Sequence, residues 1–123
     1  MSEFAIRQNL RILVAEDEAL VSMLIEDMLT DMGATVIGPA ATLDEAITLA
    51  QSADADLALL DVNLAGKPVF PVADILADRG VPIVFASGYG EAGLNDRHRG
   101  AAVLQKPFRE ADLARMLHQL APG

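Results

Sequence analysis

The chain has 123 residues, 52% of them hydrophobic, no cysteine and a formal charge of −9. Its length predicts one domain with a real core, and its hydrophobic content argues against intrinsic disorder. The composition excludes disulfides, Cys-ligated metals and thiol nucleophiles, and the acidic balance argues against nucleic acid or an anionic membrane surface as a partner. Because no apolar stretch reaches the ~18 residues of a spanning helix, we expect a cytoplasmic protein.

Strand-like and helix-like patterns alternate from the start of the chain. Short apolar runs predict strands at 10–15, 34–38, 57–60, 83–86 and 101–104. After the first run, two stripes with an i, i+4 repeat predict an amphipathic helix that ends at Gly33. These stripes consist of Leu20, Leu24 and Met28 and of Val21, Ile25 and Leu29. The methionines of this helix are expected to fill the core.

Capping and stop signals mark the later helices. Thr42 and Glu45 have the spacing of a capping box for a second helix, and a third helix should end at Gly80. A last helix is predicted from the repeat of Leu113, Met116, Leu117 and Leu120. Residues 88–100, called the glycine-rich loop below, hold four glycines and no clean apolar period. Any helix there should be short, and this segment should be the most mobile part of the fold.

This alternation of strands and helices predicts a doubly wound α/β fold, in which a parallel five-stranded sheet carries helices on both faces. Residues 1–9 have the character of a tail, and residues 10–123 are expected to form a single domain with no output domain. In sheets of this kind, functional sites form beyond the carboxyl ends of the strands.

Chemically related polar residues follow four of the predicted strands. They are Glu16 and Asp17 after the first, Asp61 and Asn63 after the third, Ser87 after the fourth, and Lys106 and Pro107 after the fifth. Taken alone, each of these residues could have a purely structural role as a helix cap, a turn residue or a solvated charge. Together at one rim they fit phosphoryl transfer to a carboxylate. That reaction needs an aspartate nucleophile, Mg²⁺ among clustered carboxylates, and a lysine and a hydroxyl for the phosphoryl oxygens.

The segments LVAEDE, LLDVNL, VPIVFASGYG and LQKPF carry a family resemblance. In this order and spacing, the chain resembles the receiver domain of two-component response regulators from about Arg11 to Leu120. The resemblance implies a flavodoxin-like (βα)5 fold with strand order 2-1-3-4-5. It also implies that Asp61 accepts a phosphoryl group, with Mg²⁺ held by Glu16, Asp17, Asp61 and the backbone carbonyl of Asn63.

The resemblance extends to the switch residues, with two departures. Ser87, the backbone N–H of Gly88 and Lys106 would contact the phosphoryl oxygens, with Ser87 moving to drive the switch, and the Lys106–Pro107 bond would be cis. One departure is Glu16, where Asp is commoner; the other is Val103, where the family usually has a rotating aromatic side chain. Residues 85–89, FASGY, resemble a stand-alone subgroup called FAT GUY, in which Tyr89 would provide this coupling.

Three other interpretations of the motifs have less support. Residues 88–93 match G-x-G-x-x-G, but they follow the fourth predicted strand and no acidic residue ends the next one, which argues against a dinucleotide site. A phosphatase of the haloacid dehalogenase type would need a second aspartate where Asn63 stands. His98 and His118 are expected to be solvated surface residues rather than metal ligands or phosphate carriers.

The sequence therefore predicts a single-domain response regulator that uses Mg²⁺. It would not be an enzyme beyond catalysing its own phosphorylation and dephosphorylation. Its partners would be a sensor histidine kinase or a histidine phosphotransfer protein, together with a downstream protein. The alternative is a receiver-fold binding module that phosphorylation does not control, which Val103 and the glycine-rich loop leave open.

Overall fold

The computed structural model describes residue 6 and residues 9–120. Within them the elements are β1 (Arg11–Ala15), α1 (Ala19–Asp31), β2 (Thr35–Ala40), α2 (Leu43–Ser52), β3 (Leu57–Asp61), β4 (Asn63–Leu64), β5 (Lys67–Pro68), α3 (Phe70–Asp78), β6 (Ile83–Ser87), β7 (Ala102–Gln105) and α4 (Glu110–Leu120). A short 3-10 helix, Gly90–Gly93, lies between β6 and β7. In the described part of the chain, no helix combines the length and hydrophobicity needed to cross a bilayer.

One parallel sheet with the order β2-β1-β3-β6-β7 organises the molecule. Counted over these five strands, the order is the predicted 2-1-3-4-5, so the doubly wound fold is confirmed. β4 and β5 form a separate antiparallel hairpin that the sequence analysis missed. Ala65 and Gly66, between these two strands, both have positive φ, as tight hairpin turns require.

The interior strand β1 shows how the sheet is covered on both faces. Ile12 and Val14 pack on one side, in the cluster that includes side chains of α1 and α4. Leu13 and Ala15 pack on the other side, with side chains of α2 and α3. Because successive side chains of a strand point to opposite faces of the sheet, a strand that is buried on both faces has an unbroken run of apolar residues.

The predicted helix signals lie where they were expected. Thr42 caps α2, and its Oγ1 accepts a hydrogen bond from the Glu45 backbone N–H at 3.2 Å. Gly33 follows α1 with a φ of +97°, the left-handed conformation that suits glycine at a helix end.

Helix α1 departs from the prediction in what it buries. Its buried side chains are Ile25 and Leu29. Leu20 and Leu24 are exposed, and Met23, expected in the core, is 60% exposed.

Ile6 lies inside the predicted tail but is buried, and its N–H donates to the Met32 carbonyl at 3.0 Å. Packing against the domain thus begins at least as early as residue 6.

The glycine-rich loop replaces an α-helix in the fourth βα unit. Its helical content is limited to the 3-10 turn Gly90–Gly93, which confirms that any helix here is short. The prediction of a solvated His98 is wrong, because its side chain is turned inward and the residue is only 7% exposed. The ring stacks on Phe70 at a centroid distance of 5.8 Å, and its Nε2 lies 2.7 Å from Asp74 Oδ1. His118 is exposed on α4, as predicted.

Candidate functional site

Three carboxylates meet at the carboxyl ends of two neighbouring strands. Glu16 and Asp17 directly follow β1, and Asp61 is the last residue of β3. The two strands are parallel, with Ala15 paired to Leu60, so the residues that follow the pair lie side by side. Carboxylate oxygens of all three residues lie within 4.8 Å of one another. Asp17 is the most exposed of the three.

Lys106 bridges two of these carboxylates from the edge of the sheet. Its Nζ donates to Glu16 Oε1 and to Asp61 Oδ2, both at 2.8 Å. The residue follows β7, which is separated from β3 by β6, so the long side chain spans one strand. Its backbone N–H donates to the Ser87 carbonyl at 2.9 Å, and the Lys106–Pro107 peptide bond is cis.

Backbone N–H groups occupy the other oxygen of each bridged carboxylate. The Glu18 N–H donates to Glu16 Oε2 at 3.0 Å, and the Asn63 N–H donates to Asp61 Oδ1 at 3.1 Å. Each carboxylate is therefore fixed by one backbone donor and one ammonium donor. Hydrogen bonds of this kind to an ionised group are the stronger class, so the two side chains are held in one orientation.

Two main factors determine the pKa values of Glu16 and Lys106: the burial of both side chains and the hydrogen bonds that Lys106 makes to the carboxylates. Burial raises the pKa of Glu16, although the hydrogen bonds from Lys106 and from the Glu18 N–H oppose the change. Burial alone would lower the pKa of Lys106, but its hydrogen bonds to Asp61 and Glu16 outweigh this and raise it. Lys106 is thus a permanent positive charge against carboxylates that repel one another.

This donor set fits a hard divalent cation. Mg²⁺ prefers oxygen ligands in an octahedral shell and is usually held in proteins by one or two carboxylates together with waters and phosphate oxygens. Glu16, Asp17 and Asp61 supply carboxylate oxygens close enough to share one ion. The described residues therefore fit the expected magnesium ion.

Ser87 stands at the same rim, but its hydroxyl is engaged elsewhere. The residue is 2% exposed, and its Oγ accepts a hydrogen bond from the Tyr89 backbone N–H at 3.0 Å. The Tyr89 side chain is 83% exposed. The structure thus brings Glu16, Asp17, Asp61 and Lys106 together, while Ser87 and Gly88 line the next strand end.

An apolar surface, which we call the α1 surface, adjoins the site. It comprises the exposed side chains Leu20, Met23 and Leu24. A groove beside it is lined mainly by apolar side chains and includes Lys106 at one end: Glu18, Val21, Leu24, Ile25, Met28, Lys106, Pro107 and Phe108. The sequence analysis missed this surface, because the same i, i+4 repeat was assigned to the core.

A doubly wound sheet that carries three carboxylates and a bridging lysine at one rim defines the receiver class of signalling domains. The comparison with family models agrees: the chain belongs to the response regulator receiver domain family, which matches residues 12–118. It is a receiver domain of the two-component type, and its acidic cluster fits a site for Mg²⁺ and an aspartyl phosphate.

The chain is also similar to individual curated regulatory proteins. The chain is 34% identical over 121 residues to the phyllosphere-induced regulator PhyR of Methylorubrum extorquens, covering 95% of this chain and 45% of PhyR. It spans about half the length of the curated relatives it matches first.

Two solved structures match most of both chains. The solution structure of SdrG from Sphingomonas melonis Fr1 has a TM-score of 0.80 and 39% identity, covering 91% of this chain and 96% of SdrG. SdrG has also been solved in a BeF3-activated conformation. A receiver domain of a Pseudomonas aeruginosa sensor histidine kinase, crystallised with a magnesium ion in its active-site cleft, has a TM-score of 0.78 and 27% identity, covering 91% of this chain and 97% of that one.

Proposed function

We propose that this chain is a phosphoryl-accepting receiver whose acceptor is Asp61. The donor would be a phosphohistidine on a sensor histidine kinase or a histidine phosphotransfer protein. The observation that carries the proposal is the Asp61 carboxylate, which ends a buried strand, is 11% exposed, and lies 2.8 Å from Lys106 Nζ among two further carboxylates. An Asp61 oxygen forms the new P–O bond, the P–N bond breaks, and the donor imidazole keeps the electron pair.

The residues around Asp61 would position the phosphoryl group and balance its negative charge. Glu16, Asp17, Asp61 and the backbone carbonyl of Asn63 would hold Mg²⁺, which when bound offsets the negative charge of the carboxylates and of the phosphoryl oxygens. Lys106 already contacts Asp61 and can follow a phosphoryl oxygen with a small movement of its flexible side chain. Catalysis of phosphoryl transfer is mostly positioning and electrostatics, which these residues can supply.

Ser87 would convert phosphorylation into a change of shape. Its hydroxyl must leave the Tyr89 N–H to reach the phosphoryl group, and the exposed Tyr89 side chain is free to follow. Phosphorylation adds about −1.5 to −2 charges, and a hydrogen bond to such a group contributes about 1.5–3 kcal/mol. Only the Ser87 contact is new, because Lys106 already contacts Asp61 in the resting state, so Ser87 supplies part of the ~5.5 kcal/mol that moves an equilibrium from 1:99 to 99:1.

The α1 surface would seat the phosphoryl donor. Its exposed leucines and methionine offer an apolar area on which a helical donor domain can pack, and the adjoining groove includes Lys106, which contacts the acceptor. A donor bound there would bring its histidine towards Asp61, because the groove ends at Lys106. Leu24→Lys should therefore slow transfer from autophosphorylated histidine kinases of the source organism, screened in turn, by at least about tenfold.

Two controls separate docking from chemistry. Gln51→Lys places the same charge on an exposed position of α2 and should transfer at the wild-type rate. Phosphoramidate is a small donor with a P–N bond and needs no docking surface, so it should phosphorylate Leu24→Lys and wild type equally. Equal kinase rates for Leu24→Lys and wild type would contradict the assignment of the α1 surface.

One observation favours a phosphate-independent binding module as the second candidate. Val103 is partly buried against the cluster that contains Phe85, and it has no ring that could swing inward with Ser87. A module of this kind would not depend on a metal in the acidic cluster. Magnesium titration distinguishes the two candidates, because a working site should bind Mg²⁺ and should lose it in Asp17→Ala.

Beryllofluoride tests the proposed function directly, since it mimics a bound phosphoryl group. We expect magnesium-dependent shifts of backbone amide resonances around Ser87 and Lys106 in wild type and none in Asp61→Ala. Folded wild-type protein that shows no shift at saturating Mg²⁺ and beryllofluoride would refute phosphoryl acceptance at this site.

A further inference from the structure

The resting position of the Ser87 hydroxyl depends on space as well as on its hydrogen bond. Ser87 Oγ accepts from the Tyr89 N–H at 3.0 Å, and the residue is enclosed by the 3-10 turn Gly90–Gly93. The last residue of that turn, Gly93, lies directly against the hydroxyl. A Cβ at position 93 would lie 2.7 Å from Ser87 Oγ, closer than real Cβ atoms approach an oxygen.

The contact is confined to this one oxygen. The next neighbours of a Cβ at position 93 are Ser87 Cβ at 3.6 Å and Val62 Cγ1 at 3.7 Å, which are ordinary van der Waals distances. The φ of Gly93 lies outside the left-handed region, so alanine can adopt its backbone conformation without strain. A single torsion of Ser87, χ1, moves the oxygen away and relieves the contact.

We propose that Gly93 is a positioning residue of the switch: its missing side chain leaves room for the resting rotamer of Ser87 and so sets the balance between the resting and activated states. This inference rests on the proposed function, in which Ser87 moves onto the phosphoryl group. A methyl group at position 93 removes the resting rotamer and breaks the hydrogen bond from Tyr89. In the proposed switch, Ser87 uses one of the remaining staggered positions when it contacts the phosphoryl group.

The direction of the effect follows from linkage. A ligand that binds the activated state binds with an apparent affinity reduced by the fraction of protein in the resting state. Gly93→Ala depopulates the resting state, so it should tighten the magnesium-dependent binding of beryllofluoride. Losing one hydrogen bond from the resting state corresponds to a change of about threefold to tenfold.

The experiment measures two quantities in wild type, Gly93→Ala, Ser87→Ala and the double variant. The first is the hydrogen exchange of the Tyr89 amide without ligand, and the second is the apparent dissociation constant for beryllofluoride at saturating Mg²⁺. Ala92→Ser is the matched control, because it adds one atom at an exposed position of the same turn. We expect the Tyr89 amide of Gly93→Ala to exchange as fast as that of Ser87→Ala, and beryllofluoride to bind at least threefold tighter than to wild type or Ala92→Ser.

The double variant decides whether the effect acts through the hydroxyl. In the Ser87→Ala background the added methyl has no oxygen to displace, so Gly93→Ala should change neither quantity there. The inference is wrong if Gly93→Ala leaves Tyr89 exchange and affinity at wild-type values, or if the change persists without the Ser87 hydroxyl. Failure of wild type to bind beryllofluoride would instead refute the proposed function, so the two failures are distinguishable.

Discussion

Replacing Asp17 by asparagine should stabilise the metal-free domain and destabilise the magnesium-bound one relative to wild type. Two unit charges at 4.8 Å, the upper limit of the separations between the carboxylate oxygens of this cluster, repel by about 0.9 kcal/mol in bulk water and by about 3.5 kcal/mol at an effective dielectric constant of 20. Asp17 is the most exposed of the three carboxylates, so the lower figure applies. We expect a gain of about 1 kcal/mol, or about 4 °C in Tm for a domain of this size.

Magnesium should reverse the order of stability. At 100 times its Kd, a ligand stabilises the native state by about 2.7 kcal/mol. Wild type should gain this amount, whereas Asp17→Asn, having lost a charged ligand, should gain much less and unfold at the lower temperature.

Thermal unfolding followed by circular dichroism, with EDTA and with a series of Mg²⁺ concentrations, measures both effects. Asp27→Asn makes the same chemical change at an exposed position of α1 and should follow wild type under both conditions. The reasoning fails if Asp17→Asn melts no higher than wild type in EDTA, or if its Tm rises with Mg²⁺ as much as that of wild type.

Three further predictions concern the switch, the loop and the acidic site. Ser87→Ala should show a graded, incomplete response to phosphorylation in its amide resonances, and a full-size response would contradict the assigned switch. His98→Ala should lower the free energy of unfolding, measured by urea titration, by about 3 kcal/mol. The substitution leaves a cavity where the buried imidazole ring lay and removes its hydrogen bond to Asp74. A loss below about 1 kcal/mol would mean that His98 does not anchor the glycine-rich loop. The pKa of Glu16 is higher in the folded, metal-free domain than its ordinary value of 4.5, so folding favours the protonated carboxyl. The free energy of unfolding should therefore fall as the pH rises from 4.5 through the pKa that Glu16 has in the folded state. Glu16→Gln should flatten that part of the pH–stability curve, and an unchanged slope would refute the interpretation.

The fold was predictable because its strongest signals are local. Residues 12–15 of β1 are covered on both faces, and a strand segment of this kind must be apolar throughout, whichever helices cover it. Thr42 and Gly33 mark helix ends through their own backbone and side-chain chemistry. The rim was predictable for a related reason, since parallel strands place their carboxyl ends at one edge. Glu16 and Asp61 therefore met as expected.

The features that the sequence analysis missed depend on contacts between distant segments. His98 is polar, and its burial becomes evident only when the loop folds onto Phe70 and Phe85. The exposure of Leu20 and Leu24 depends on which side of α1 faces the sheet, and two neighbouring apolar stripes do not decide that. Gly93 was one of four glycines in the loop, and only its position against Ser87 distinguishes it.

Intact-protein mass after incubation with acetyl phosphate and Mg²⁺ tests the central claim most directly. Wild type should gain one phosphoryl group, and Asp61→Ala, shown to be folded, should gain none. No addition to folded wild type, or equal addition to both proteins, would contradict the assignment of Asp61 as the phosphoryl acceptor.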